Sequence, residues 1–168
     1  MSTALVSVEE YLKANYKPAC EYLDGVLRQK PMPTFDHSFV QGRLIALISA
    51  RYGAYLALPE LTVKISEREW LVPDISVMLR SRIQRPYALD PVHLCIEILS
   101  PDDRIAQTFA KCEQYHSWGV AHCWVIDPEK KVAWIYPNGS EPKRVTGQDA
   151  LSAGDIHISM ATLYEAEQ

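Results

Sequence analysis

The sequence lacks a long apolar run. No stretch approaches the ~18 consecutive apolar residues that a membrane-spanning helix needs, so no membrane span is expected. Residues Met1 to Val8 are too short, and too acidic downstream, to read as a secretory signal, which makes a cytoplasmic location the expectation. Cysteine is sparse and scattered. The four cysteines, at positions 20, 95, 112 and 123, form no Cys-x-x-Cys pair and no Cys/His grouping at zinc-finger spacing. That argues against structural zinc and against a disulfide framework; Cys95, inside an apolar stretch, reads as a buried free thiol. Positive charge is in short supply as well. A net charge of −4 gives no broad electrostatic attraction to nucleic acid. The one basic cluster, Arg80-Ser81-Arg82-Ile83-Gln84-Arg85, is either a solvated loop or a phosphate-contacting segment. No internal repeat and no low-complexity segment occurs.

What is present is ordinary for a globular chain: 168 residues, 48% hydrophobic and 23% charged, enough for one domain over 1–168 with a substantial core. Ser7-Val8-Glu9-Glu10 is a capping box, so a short helix is expected to about Asn15. Residues 20–30 read as a hairpin, or as a strand with a tight corner, turned at Asp24-Gly25, where positive φ is tolerated. Glu21, just before that turn, is by itself more often a solvated surface residue. A helix is expected over about 36–55, with Val40, Leu44, Leu47 and Ile48 on its apolar stripe. His37 in its first turn reads as a surface or capping residue. Two strands follow, over about 58–66 and 70–79, then a central strand at 92–99, apolar throughout as in a sheet covered on both faces. Pro101-Asp102-Asp103 is expected to start a helix that ends at Gly119. Beyond it lie a strand at 121–126, an antiparallel pair turned at Asn138-Gly139, a short strand near Ile156-Ile158 and a last helix from about Met160. The order of elements predicts an α/β (α+β) domain with a mixed central sheet.

Two carboxylates interrupt this pattern. Asp74 breaks one apolar strand and Glu97 breaks the next. Buried ionisable groups are costly unless paired or ligated. If the strands are neighbours, two like charges meet, and either one is protonated or a cation lies between them. A hard divalent ion, Mg²⁺ or Mn²⁺, is the expected guest for oxygen ligands, and Lys111 on the following helix would stabilise negative charge at the same point. This set suits phosphodiester hydrolysis. Plainer readings stand beside it: Pro-Asp is common turn chemistry, and a buried Glu97–Lys111 ion pair with no catalysis explains both residues.

At these positions the chain resembles the bacterial putative restriction endonuclease family, long a domain of unknown function, within the PD-(D/E)XK nuclease superfamily. The resemblance lies in Glu21-Tyr22-Leu23-Asp24-Gly25, His37, Val72-Pro73-Asp74-Ile75, Ile96-Glu97-Ile98-Leu99-Ser100-Pro101, Lys111-x-x-x-Tyr115, Gly119-Val120 and Trp124-Val125-Ile126-Asp127-Pro128. It implies a restriction-endonuclease-like fold, with Asp74 and Glu97 as metal ligands, Lys111 as the catalytic lysine and Glu21 as an additional acidic residue near the site. The superfamily's usual lysine lies two residues after the strand glutamate; here that place is Leu99, and Lys111 is its counterpart from the helix. Gln107 stands where the family often carries an acid. The resemblance further implies DNA as substrate and a homodimer, since two sites cut two strands. A competing expectation is a catalytically inactive nuclease-like module that binds nucleic acid or a partner protein.

Overall fold

The structure, a computed structural model, describes residues 5–165. Residues 1–4, part of the stretch read as no secretory signal, and 166–168, the end of the expected domain, lie outside the described residues. The capping box forms as expected: Ser7 N–H donates to Glu10 Oε2 at 2.9 Å, and Glu10 N–H donates to Ser7 Oγ at 3.2 Å. It opens α1 (Val8–Lys13), which ends slightly before the expected Asn15. β1 (Cys20–Leu23) and β2 (Val26–Gln29) form the hairpin, with Asp24 at φ +49° and Gly25 at φ +86° in its turn. α2 (Phe35–Arg51) buries Val40, Leu44, Leu47 and Ile48, the expected stripe, but stops before Tyr55. Tyr55 instead begins a strand.

The two strands expected over 58–66 and 70–79 are four shorter ones. They are β3 (Tyr55–Pro59), β4 (Val63–Ser66), β5 (Glu69–Leu71) and β6 (Ile75–Leu79). The physical reason is two corners. At Glu60, φ is +49° and the chain leaves one sheet for another. At Val72-Pro73-Asp74 it returns, because proline fixes φ and removes the N–H that a continuous ladder needs. The corners touch, with Glu60 N–H donating to the Asp74 carbonyl at 3.1 Å.

β7 (Leu94–Ile98) follows, and then α3 (Ile105–Trp118). The helix starts later than Pro101 predicts. Ser100 N–H is taken by Asp103 Oδ2 at 2.7 Å and Asp103 N–H by the Ser100 carbonyl, a turn that precedes the helix. Its end is as expected, at Gly119 with φ +119°. β8 (His122–Asp127), β9 (Val132–Pro137), β10 (Lys143–Thr146), β11 (Ala150–Ala153), β12 (Ile156–Ser159) and α4 (Met160–Tyr164) complete the chain. β11 is an addition to the expected set, pairing with β12.

The central sheet has the order β10-β9-β8-β7-β6-β3; the β7–β8 pair is parallel and the others antiparallel, so it is mixed as expected. A second sheet, β2-β1-β5-β4, carries the hairpin. Alternation along β7 sets the faces. Leu94, Ile96 and Ile98 pack with the buried stripe of α2, whereas Cys95 packs with Cys112 and Tyr115 of α3. All four cysteines are free and buried. No helix among the described residues is long and apolar enough to cross a membrane.

Candidate active site

The register of β6 against β7 places the two strand carboxylates together. Ile75 pairs with Ile96 in an antiparallel ladder, so Asp74, one residue earlier, comes beside Glu97, one residue later. Both belong to the face that looks toward α3. Both are buried, at 2% and 6% exposure, which makes their charges a matter for partners rather than solvent. Ile98 N–H donates to Asp74 Oδ2 at 2.7 Å and ties the strands at this point.

Lys111 arrives from the helix. Its Nζ lies 2.9 Å from Glu97 Oε1 and 2.5 Å from Glu21 Oε1. Tyr115, one helical turn on, donates its O–H to the same Glu97 oxygen at 2.7 Å. Glu21 is thus no solvated surface residue. It is 3% exposed, and its Oε1 also accepts Val72 N–H at 3.1 Å, so it fixes the corner before Asp74 while holding Lys111. The four residues singled out from the sequence, Glu21, Asp74, Glu97 and Lys111, are brought to one place.

Two further side chains complete the cluster. Lys30 Nζ lies 2.5 Å from Asp74 Oδ1 and donates to the Val72 carbonyl at 2.9 Å. His37, read as a surface or capping residue, is buried with Nε2 at 3.3 Å from Asp74 Oδ1. Among the described residues its Nδ1 has no hydrogen-bond partner. The capping role at that turn falls to Thr34, whose Oγ1 accepts the His37 N–H. Sequence reasoning passed over Lys30, although a signal existed. The hairpin pairs Glu21 with Arg28, and Lys30 is two residues beyond Arg28, hence on the Glu21 face.

The neighbouring carboxylates titrate in opposite directions. Burial would raise Asp74, but the Lys30 ammonium, His37 and Lys111 outweigh it and hold this carboxyl well below the usual range. Burial raises Glu97, and the charges of Asp74 and Glu21 add to that, against the pull of Lys111 and Lys30. Burial acts to lower Lys111, yet Glu97, Glu21 and Asp74 together drive it well above an ordinary lysine, so it stays charged.

Asp74 and Glu97 are hard oxygen donors on adjacent strands, and that chemistry fits Mg²⁺ or Mn²⁺. Among the described residues no group of three or more His, Cys, Asp or Glu is arranged to hold a metal by itself. This fits magnesium-type binding, which relies on one or two carboxylates and leaves other positions to water and substrate phosphate.

The cluster forms the floor of an open cavity of about 720 Å³. The exposed lining residues include the cations Lys17, Arg28 and Arg104 and the acids Glu60 and Asp103, above a carboxylate floor. Gln107 lines the cavity as well. The basic cluster Arg80–Arg85 is elsewhere: it follows the far end of β6, about 20 Å along the strand direction from Asp74 at ~3.3 Å per residue.

The chain is similar to known proteins over most of its length. A family model described as "Putative restriction endonuclease" matches residues 8–164. A crystal structure of a putative nuclease belonging to DUF820 from Anabaena variabilis superposes with a TM-score of 0.80 at 29% identity, covering 95% of this chain and 98% of that one. None of the curated proteins matches. The chain belongs to the putative restriction endonuclease family and has the fold of that nuclease.

Proposed function

We propose that this family member is a divalent-metal-dependent nuclease that hydrolyses phosphodiester bonds in DNA. Asp74 and Glu97 are its metal ligands, and Lys111 and Glu21 complete the catalytic centre. The observation that carries this reading is the convergence of two buried carboxylates, Glu21 and Glu97, on the Lys111 ammonium, with a third, Asp74, beside Glu97, at the floor of an open cavity. A structural ion pair has no need of a third carboxylate, nor of a 720 Å³ opening above it.

When bound, the ion polarises a phosphoryl oxygen and acidifies water. The protein's own groups do the rest. Lys111 is held protonated by its carboxylate partners, so its Nζ acts as a hydrogen-bond donor and fixed positive charge for the phosphoryl group as negative charge builds there; it is not a base. Glu21 positions that ammonium, and Tyr115 fixes the orientation of the Glu97 carboxylate. The exposed cations Lys17, Arg28 and Arg104 supply phosphate contacts at the mouth of the cavity. We read residues 1–168 as one such domain, cytoplasmic, and working as a homodimer with one centre for each DNA strand.

The test is incubation of the purified chain with plasmid and with single-stranded DNA in Mg²⁺, Mn²⁺ or EDTA. Cleavage in either metal and none in EDTA is expected; DNA left intact in both metals contradicts the reading. A second reading, an inactive nuclease-like module that binds nucleic acid or a partner, draws on the ion pair between Lys30 and Asp74, which sets an internal cation on a metal ligand.

A further inference from the structure

Asp74 is already heavily engaged. A carboxylate has about four lone-pair positions. Oδ1 faces both Lys30 Nζ, at 2.5 Å, and His37 Nε2, at 3.3 Å, while Oδ2 accepts Ile98 N–H. Lys30 is also no loose surface lysine. Its side chain is 13% exposed, and its ammonium is held by one carboxylate oxygen and one main-chain carbonyl, that of Val72. Carboxylate and carbonyl oxygens are the donors that a hard cation takes in proteins. Charge gives the same result. Glu21, Asp74 and Glu97 bring three negative charges, and Lys30 and Lys111 return two positive ones within the same cluster. The remaining attraction for a divalent ion is far weaker than three carboxylates alone would exert.

We propose that Lys30 is a built-in competitor for the metal: its ammonium occupies the cation position on Asp74 Oδ1, and a divalent ion loads only as Lys30 withdraws. Lys30 thereby sets the affinity of the site for divalent ions. The withdrawal is sterically simple. Lys30 stands one residue after the end of β2, at the start of the Pro31-Met32-Pro33 loop, and the open cavity lies beside it. Only its side chain needs to move. Within that cavity the freed ammonium joins Lys17, Arg28 and Arg104, on the side where phosphate enters. The inference rests on the reading of Asp74 and Glu97 as metal ligands, but it makes no use of cleavage.

The test is calorimetric titration of the full chain with Mn²⁺ at neutral pH, without DNA. The wild type is compared with Lys30→Met, Lys30→Gln, Lys30→Arg and the double variant Lys30→Met with Glu97→Gln. Circular dichroism checks each fold, and Lys30→Gln, which keeps a donor for the Val72 carbonyl, carries the test if Lys30→Met does not fold. Removing the charge should tighten Mn²⁺ binding by on the order of tenfold or more. Lys30→Arg should stay near the wild type, and the double variant should lose binding. Wild-type binding as tight as that of Lys30→Met and Lys30→Gln overturns the role of Lys30 alone. No binding by any variant overturns the ligand reading and the inference with it. Tight binding without DNA cleavage leaves the inference standing and contradicts the proposed activity.

Discussion

Lys111 Nζ reaches Glu97 Oε1 at 2.9 Å from α3 and not from the strand that carries Glu97. Leu99, two residues after Glu97, shares the Glu97 face by alternation and lines the same cavity. If Lys111 is the catalytic lysine, as proposed, the centre needs an ammonium at this point whatever its place in the sequence. Lys111→Leu is therefore expected to abolish cleavage, and adding Leu99→Lys to restore part of it. The check is a nicking assay on the single and double variants; a double variant as inactive as the single one speaks against equivalence of the two positions.

Lys111 also has a structural role. Replacing it with Met leaves Glu21 and Glu97 buried without their shared cation. Breaking a buried pair from one side costs about 3–5 kcal/mol. Urea unfolding of Lys111→Met should show a loss of that size, and a change below ~1 kcal/mol would mean that the carboxylates find solvent or a proton at little cost.

The opposite titration of Asp74 and Glu97 separates their variants. Asp74 is depressed from its ordinary 3.8, so its stabilisation is present above that value and is lost as pH falls through the folded one. Asp74→Asn should destabilise the protein at neutral pH. Glu97 is raised above its ordinary 4.5, so its favourable state is the protonated one, present below 4.5 and lost as pH rises through the folded value. Glu97→Gln mimics that state. It should melt above the wild type at neutral pH, with the gap closing below about pH 4.5. Thermal melts across pH check both signs.

Tyr115→Phe removes one hydrogen bond from a fully buried carboxylate. Bonds to charged groups are worth about 1.5–3 kcal/mol, so a loss of that order is expected in denaturant unfolding. Glu97 should then hold its proton more tightly, and Mn²⁺ binding should need a higher pH than in the wild type. A pH series of Mn²⁺ titrations reads this directly.

Gly119→Ala tests the frame rather than the site. Gly119 ends α3 at φ +119°, and an added Cβ would meet Pro91 Cγ at 2.9 Å. Strain of about 1–3 kcal/mol is expected. Since α3 carries Lys111 and Tyr115, the variant should lose stability before it loses chemistry, which melting and cleavage measured together will show.

Much of this arrangement was legible in the sequence wherever local chemistry dictates structure. The Ser7/Glu10 capping box, the Asp24-Gly25 turn, the α2 stripe and the Gly119 stop each follow from one or two residues, and each is found. Asp74 and Glu97 stood out because a carboxylate in an apolar strand is anomalous, and strand register then unites them. What sequence hid was non-local. The chain changes sheets at Glu60 and at Val72-Pro73-Asp74, so two apparent strands are four. Those corners bury Glu21 and bring Lys30 to Asp74 from a hairpin more than forty residues away in sequence. His37 looked like a capping residue because its partner, Asp74, belongs to another element. No propensity or period reports such contacts; the Arg28–Glu21 register was the one sequence-level hint that Lys30 faces the site.

The most direct measurement is single-turnover cleavage of end-labelled DNA in Mn²⁺ by the wild type and by Glu97→Gln, each shown to be folded. A metal-dependent wild-type rate is expected, with a fall of at least about 10²-fold in Glu97→Gln, the scale of losing an essential electrostatic group. An unchanged rate in Glu97→Gln would contradict the proposed role of Glu97, because the cleavage would then come from somewhere other than this centre.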